Sequence, residues 1–142
     1  MPKGQLDSVA CCDTTLLMMS DGRPLIAVVD DDSSVRKALA HLLTVKSYAA
    51  NTFGSAKEFL ESLDQQKPNC LVLDLHMPEC GGLDLQHHLL RKGIKIPTVI
   101  ITAHDEIGLR ERCSNAGASA FLVKPISVDT LVNAIDAAMK PH

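Results

Sequence analysis

Leu25-Ile26-Ala27-Val28-Val29 and Cys70-Leu71-Val72-Leu73 are unbroken apolar runs, and each stops at carboxylates, Asp30-Asp31-Asp32 after the first and Asp74 after the second. A half-exposed strand alternates apolar and polar positions. Short runs without that alternation, rich in branched aliphatic side chains, match strands buried on both faces of a parallel sheet. Strand patterns fall at 25–29, 48–53, 70–74, 97–102 and 119–123, and a segment with helical spacing follows each of them.

The helical segments carry local start signals. Val35, Leu39, Leu42 and Leu43 recur at i, i+4, i+7 and i+8 behind the cap candidates Asp32 and Ser33. Ser55-Ala56-Lys57-Glu58 reads as a capping box, opening a helix whose Phe59, Leu60 and Leu63 share a face. The third helix follows Gly81-Gly82 and shows Leu85 and Leu89, while the fifth begins at Ser127, repeats through Leu131, Ala134, Ile135 and Ala138, and ends near Met139. The fourth, around Ile107 to Asn115, has the weakest apolar stripe and is expected to be loosely held.

Strict strand-helix alternation with short loops implies a parallel sheet covered on both faces, because each crossover is right-handed and returns over the sheet. The expected fold is a doubly wound α/β, five-stranded, in the order 2-1-3-4-5. Its groove lies outside the carboxyl ends of the strands where the order reverses, between strands 1 and 3. There Asp30 and Asp31 would face Asp74.

Composition adds limits. A chain of 142 residues, 46% hydrophobic and 22% charged, is long enough for one self-sufficient core. We expect residues 25–142 to form that domain and 1–24 a loosely ordered extension. A net charge of −3, no Trp, one Tyr and three Phe argue against direct nucleic-acid binding, which calls for basic patches and stacking aromatics. The five cysteines, Cys11, Cys12, Cys70, Cys80 and Cys113, include no C-x-x-C pair and imply neither a disulfide framework nor a zinc module. Leu16-Leu17-Met18-Met19 is too short for a signal or membrane segment, and with Asp7 and Asp13 nearby the expected location is cytoplasmic, away from membranes.

Carboxylates a few ångströms apart repel by about 4 kcal/mol per close pair at an effective dielectric near 20, so something must compensate. A hard divalent cation such as Mg²⁺, held by carboxylates, water and a phosphoryl oxygen, suits that need better than protonation. Strand 4 ends in Thr102 before the small Ala103, and strand 5 in Lys124-Pro125. A carboxylate nucleophile, a cation, a hydroxyl and an ammonium together suit in-line phosphoryl transfer onto Asp74.

Val28-Val29-Asp30-Asp31, Leu73-Asp74-Leu75-His76-Met77-Pro78 with Gly82 eight residues after the Asp, Ile101-Thr102-Ala103, and Gly117 through Pro125 resemble the signature set of bacterial two-component response regulator receiver domains. The resemblance covers residues 25–139 in order and spacing. It implies that Asp74 is the phosphoacceptor for a sensor histidine kinase or phosphotransfer protein. The protein would then be a signalling switch with self-catalysed phosphorylation and dephosphorylation, not a conventional enzyme. It further implies that Asp31 holds Mg²⁺ directly and Asp30 through water, with Asp74 and the backbone carbonyl of His76 completing the set. Thr102 and Lys124 would contact the phosphoryl group, the Lys124-Pro125 bond would be cis, and Phe121 would be the switch aromatic.

His76 and His104, two residues beyond Asp74 and Thr102, would modulate phosphoryl lifetime by ordering or excluding water. Output would pass through the surface of the fourth helix, fifth strand and fifth helix to a downstream protein partner, an absent effector domain or a phosphorylation-dependent homodimer. The Asp74–Pro78 and Ala134–Ala138 stretches look most like nitrogen-fixation and LuxR-type receivers, here read without an output domain.

Blander roles stand beside these. Asp32, next to Ser33 and Ser34, fits a helix cap better than a third ligand. Phe121 also suits plain core filling, His87 and His88 a solvated helix face, and the cysteines incidental thiols, with Cys80 alone near the site. An alternative function is a haloacid-dehalogenase-like phosphatase, since Asp30-Asp31-Asp32 satisfies its Asp-x-Asp pattern with Asp30 as nucleophile. That family usually needs a longer chain, and its motif leaves Asp74 and Phe121 unexplained.

Overall fold

Strands and helices alternate along the chain as β1 (Leu25–Val29), α1 (Ser33–Val45), β2 (Ala49–Phe53), α2 (Ala56–Ser62), β3 (Cys70–Asp74), α3 (Gly82–Arg91), β4 (Thr98–Thr102), α4 (Leu109–Asn115), β5 (Ala120–Val123) and α5 (Val128–Met139). The structure is a computed structural model and describes residues 22–75 and 81–140. The sheet has the order β2-β1-β3-β4-β5, with every neighbouring pair parallel. This is the doubly wound arrangement expected from the sequence.

The missing alternation in β1 and β3 has a direct cause. Ala27 and Val29 of β1, Leu71 and Leu73 of β3 and Ile100 of β4 join Phe59, Leu85, Leu89 and Cys113 in one core layer, beneath α2, α3 and α4. Ile26 and Val28, Cys70 and Val72, and Val99 and Ile101 point the other way, joining Leu43, Leu131 and Ile135 beneath α1 and α5. With both faces covered, no position on these strands favours a polar residue. Each large aliphatic side chain so buried contributes about 1.5–3 kcal/mol relative to exposure, which fixes the strand ends firmly.

Helix starts follow their caps. The Asp32 carboxylate accepts the N–H groups of Ser34 and Val35, Ser55 that of Glu58, and Ser127 that of Thr130. Asp32 therefore starts α1, as its neighbours suggested. The Glu58 half of the expected capping box reaches one residue further back, to the N–H of Gly54 at 3.4 Å.

Strand 2 begins one residue later than the pattern implied. Ser47 has a φ of 71°, and Tyr48 donates its N–H to Leu43, which closes α1 before the sheet begins. Burial first, and then the hydrogen bond its hydroxyl gives Asp136, pushes the Tyr48 hydroxyl up to about 12. Tyr48 thus ties the start of β2 to α5 in its neutral form. In the fourth helix, Gly108 at φ 80° interrupts the expected start, so Ile107 stays outside it and fully exposed while Leu109 and Cys113 are its buried residues.

Candidate functional site

The sheet register brings five strand-end residues together. Val29 pairs with Leu73, so Asp30 and Asp74 follow at adjacent ends, and Thr102 pairs with Val123, the residue before Lys124. Carboxylate oxygens of Asp30, Asp31 and Asp74 all lie within 4.8 Å of one another. Asp30 and Asp74 are buried, at 3% and 7% exposed, while Asp31 faces solvent.

Asp30 is held on several sides. Its N–H donates to the Phe53 carbonyl at 3.1 Å, its Oδ1 accepts the Asp32 N–H at 2.9 Å, and its Oδ2 lies 3.9 Å from Lys124 Nζ. Burial pushes its carboxyl above the ordinary range, with the charges of Asp74 and Asp31 adding to the rise and the Asp32 N–H and Lys124 opposing it. A cation between the carboxylates would relieve the same repulsion. An all-oxygen set of this kind suits Mg²⁺, and Asp30, Asp31 and Asp74 are the described residues that would hold it.

The raised Asp30 carboxyl sets a pH dependence. Because burial holds its folded value above that of an ordinary exposed carboxylate, protonated Asp30 favours the metal-free fold at low pH, and this contribution is lost as pH rises through the folded value. Mg²⁺ requires the ionised form. Affinity measured by calorimetry is therefore expected to climb across the same window while metal-free stability from Asp30 falls; a flat affinity there would contradict it.

Thr102 is fully buried, and its hydroxyl donates to the His104 carbonyl at 3.1 Å while accepting the His104 N–H at 3.2 Å. Lys124 donates its own N–H to the Thr102 carbonyl at 2.8 Å, and the Lys124–Pro125 bond is cis. Phe121 is partly buried against the α2–α4 layer, with the Arg110 guanidinium 4.7 Å from its ring centre. Arg110 also lies 3.7 Å from Asp105. His104, two residues past Thr102, is exposed; on α3, His87 is exposed and His88 half-buried. His76 and Cys80 fall outside the described residues.

Two features were not evident in the sequence. Arg36 donates from Nη1 to the Asp30 carbonyl at 2.7 Å, and Arg110 covers Phe121. Both are contacts that a long side chain makes from a helix to a neighbouring strand or strand end, which hydrophobic periodicity does not encode. Gly82, noted for its spacing, sits so close that a Cβ would lie 2.7 Å from the Asp74 carbonyl oxygen.

A β2-β1-β3-β4-β5 parallel sheet with carboxylates ending β1 and β3, a hydroxyl ending β4 and an ammonium following β5 marks a doubly wound signalling module of the receiver class. The chain belongs to the response regulator receiver domain family, whose pattern matches residues 26–136, and is thus a receiver domain of two-component systems. It is 38% identical over 129 residues to the response regulator protein TodT of Pseudomonas putida, covering 91% of this chain and 57% of that protein. It is 34% identical over 113 residues to the transcriptional regulatory protein FixJ of Rhizobium meliloti, covering 80% of this chain and 55% of FixJ.

The chain thus spans little more than half the length of these curated relatives. The crystal structure of FixJ-N superimposes with a TM-score of 0.76 at 34% identity, covering 82% of this chain and 93% of that one. A low-resolution structure of the response regulator StyR does so with 0.74 at 41% identity, covering 82% of this chain and 59% of that one. Response regulators take their signals from histidine kinases and act on output domains, and members of the family are signalling proteins rather than classical enzymes. The phosphatase alternative is not favoured, since family and fold belong to receivers and its supposed nucleophile Asp30 is buried with its carboxylate engaged by Asp32 and Lys124. Among the described residues no helix is long and apolar enough to cross a membrane.

Proposed function

We propose that this receiver accepts a phosphoryl group on Asp74 with Mg²⁺ at the three-carboxylate cluster, and that the resulting charge resets the α4-β5-α5 surface. The observation that carries the reading is the convergence of Asp30, Asp31 and Asp74 within 4.8 Å, at the carboxyl ends of the strands, where Thr102 ends β4 and Lys124 follows β5. An Asp74 oxygen attacks the phosphorus of a phosphohistidine in line, the P–N bond breaks, and the leaving imidazole keeps the bond pair and takes up a proton. The metal supplies charge neutralisation at the transferring oxygens.

This chain's own groups do the rest. Lys124, now 3.9 Å from Asp30, turns its ammonium to the new phosphoryl oxygen. Thr102 exchanges its bond to the His104 carbonyl for one to the phosphoryl group, and the β4–α4 loop moves with it. Phe121 then packs into the space vacated, leaving Arg110 and altering the face offered to partners. Asp31 and Asp74 would hold the metal directly and Asp30 through water, and the carbonyl of His76, which lies outside the described residues, would be a further ligand. His104 and the His76 side chain shape access of the hydrolytic water. The kinase or phosphotransfer donor, and the downstream protein, effector domain or second copy, meet the protein at these surfaces.

Incubation with acetyl phosphate and Mg²⁺, followed by mass spectrometry of peptides, locates the modification. The expected site is Asp74. Label retained on Asp30 would instead return the phosphatase mechanism.

A further inference from the structure

Arg36 stands one turn into α1, its N–H bonded to the Asp32 carbonyl, and its side chain crosses back over the end of β1. Nη1 donates to the Asp30 carbonyl oxygen at 2.7 Å. The same guanidinium lies against the β2–α2 loop, where a Cβ on Gly54 would meet Nη1 at 3.2 Å, Cζ at 3.6 Å and the Glu58 carboxylate at 3.6 Å. Gly54 therefore leaves the space that Arg36 fills. Asp30 is thus gripped at both backbone ends, its N–H by the Phe53 carbonyl and its C=O by Arg36.

The gripped carbonyl belongs to the peptide that carries Asp31. Peptide units are rigid planes, so fixing the Asp30 C=O fixes the direction in which the chain leaves toward Asp31. This matters because Asp31 is exposed and no hydrogen bond among the described residues restrains its carboxylate. Asp30, by contrast, is buried and bonded through its side chain.

We propose that Arg36 is a positioning residue for the divalent cation, clamping the Asp30–Asp31 peptide so that the Asp31 carboxylate is presented to the site. The inference rests on the Mg²⁺-assisted phosphoacceptor reading above. A guanidinium near a cation site also repels the cation, and the two effects have opposite signs. The guanidinium is bonded to the Asp30 main chain and packs at Gly54 beside the Glu58 carboxylate, which offsets part of its charge, and the sign of the net effect is what the titration reads.

Titration of the whole chain with Mn²⁺, followed by the EPR signal of the free ion, reads the clamp without any phosphoryl chemistry. Arg36→Ala is expected to weaken Mn²⁺ binding about 10-fold, the scale on which residues orienting metal ligands act. Arg36→Lys, which keeps one donor within reach of the Asp30 carbonyl, recovers part of the loss. Labelling of Arg36→Ala by acetyl phosphate is slow at limiting Mg²⁺ and returns to the wild-type rate at saturating Mg²⁺, a split that general loosening of the fold does not produce.

Wild-type or tighter Mn²⁺ affinity in Arg36→Ala overturns the clamp, as does a labelling defect that saturating Mg²⁺ leaves in place. The two readings fail separately. Wild-type protein that is never labelled on Asp74 removes the phosphoacceptor reading, whereas equal Mn²⁺ affinities of wild type and Arg36→Ala remove the clamp.

Discussion

Asp74→Asn protein is expected to take no label from acetyl phosphate and, in metal-free buffer, to melt at a higher temperature than the wild type. The first half follows from the nucleophile, because an amide oxygen forms no stable acyl phosphate under these conditions. The second follows from electrostatics. Asp74 contributes to the rise of the buried Asp30 carboxyl, so its charge is felt as repulsion inside the site. Two carboxylates about 4 Å apart at an effective dielectric near 20 repel by about 4 kcal/mol, an upper bound here because Lys124 lies beside Asp30 and Asp31 is open to water.

A net gain of about 1–2 kcal/mol is the expected remainder, which for a domain of this size raises the melting temperature by about 3–10 °C. Mg²⁺ should reverse the comparison, since a ligand that binds only the folded state stabilises it in proportion to its affinity, and Asp74→Asn has lost one charged ligand. Calorimetry with and without Mg²⁺ measures both effects. A metal-free melting temperature at or below that of the wild type would show that the cluster is not under electrostatic strain, and persistent labelling would place the phosphoacceptor elsewhere.

How much of this was legible in the sequence depends on the direction in which information runs. Val28-Val29-Asp30 and Leu73-Asp74 announce buried strands and their ends, because a strand covered on both faces disfavours ionised side chains until it emerges. Alternation with helices then dictates which ends are neighbours, so the meeting of Asp30 and Asp31 with Asp74 is a topological consequence of the pattern. Caps were readable for the same local reason. Asp32, Ser55 and Ser127 each bond an N–H two or three residues ahead.

Contacts made by long side chains across elements were not legible. Nothing in the spacing of Arg36 distinguishes a guanidinium that turns back onto the Asp30 carbonyl from one that points to water. Arg110 over Phe121 is the same case, made harder because α4 has only Leu109 and Cys113 buried and starts after a left-handed glycine. The partial burial of all four β5 residues also departs from a fully covered strand, as its place at the edge of the sheet requires. Edge position is a property of the assembled sheet and leaves little trace in four residues.

Gly82→Ala is expected to slow labelling of Asp74 at least 10-fold and to cost about 1–3 kcal/mol of stability. The added Cβ would lie 2.7 Å from the Asp74 carbonyl oxygen and 2.9 Å from Leu75 Cα, both backbone atoms at the end of β3 that no rotamer change can move aside. The Gly82 N–H donates to the Leu75 carbonyl at 3.1 Å, so α3 cannot back away without breaking the bond that seats it. Alanine is the better helix former by up to about 1 kcal/mol in a helix interior and by less at the first position of α3, which offsets part of the stability loss and makes the functional loss the clearer readout.

Strain of this kind reaches the site directly. Displacing Asp74 by a fraction of an ångström spoils the in-line geometry, and misplacement on the scale of 1 Å costs about 100-fold in rate. Gly81→Ala is the control. Its Cβ meets the Leu75 carbonyl at 3.6 Å and the Asp84 carboxylate at 3.9 Å, ordinary contacts on a backbone with φ −66° that any residue adopts. Gly81→Ala should label and melt like the wild type; equal behaviour of the two variants would mean that α3 and the end of β3 move independently, and that close packing at Gly82 does not hold the phosphoacceptor in place.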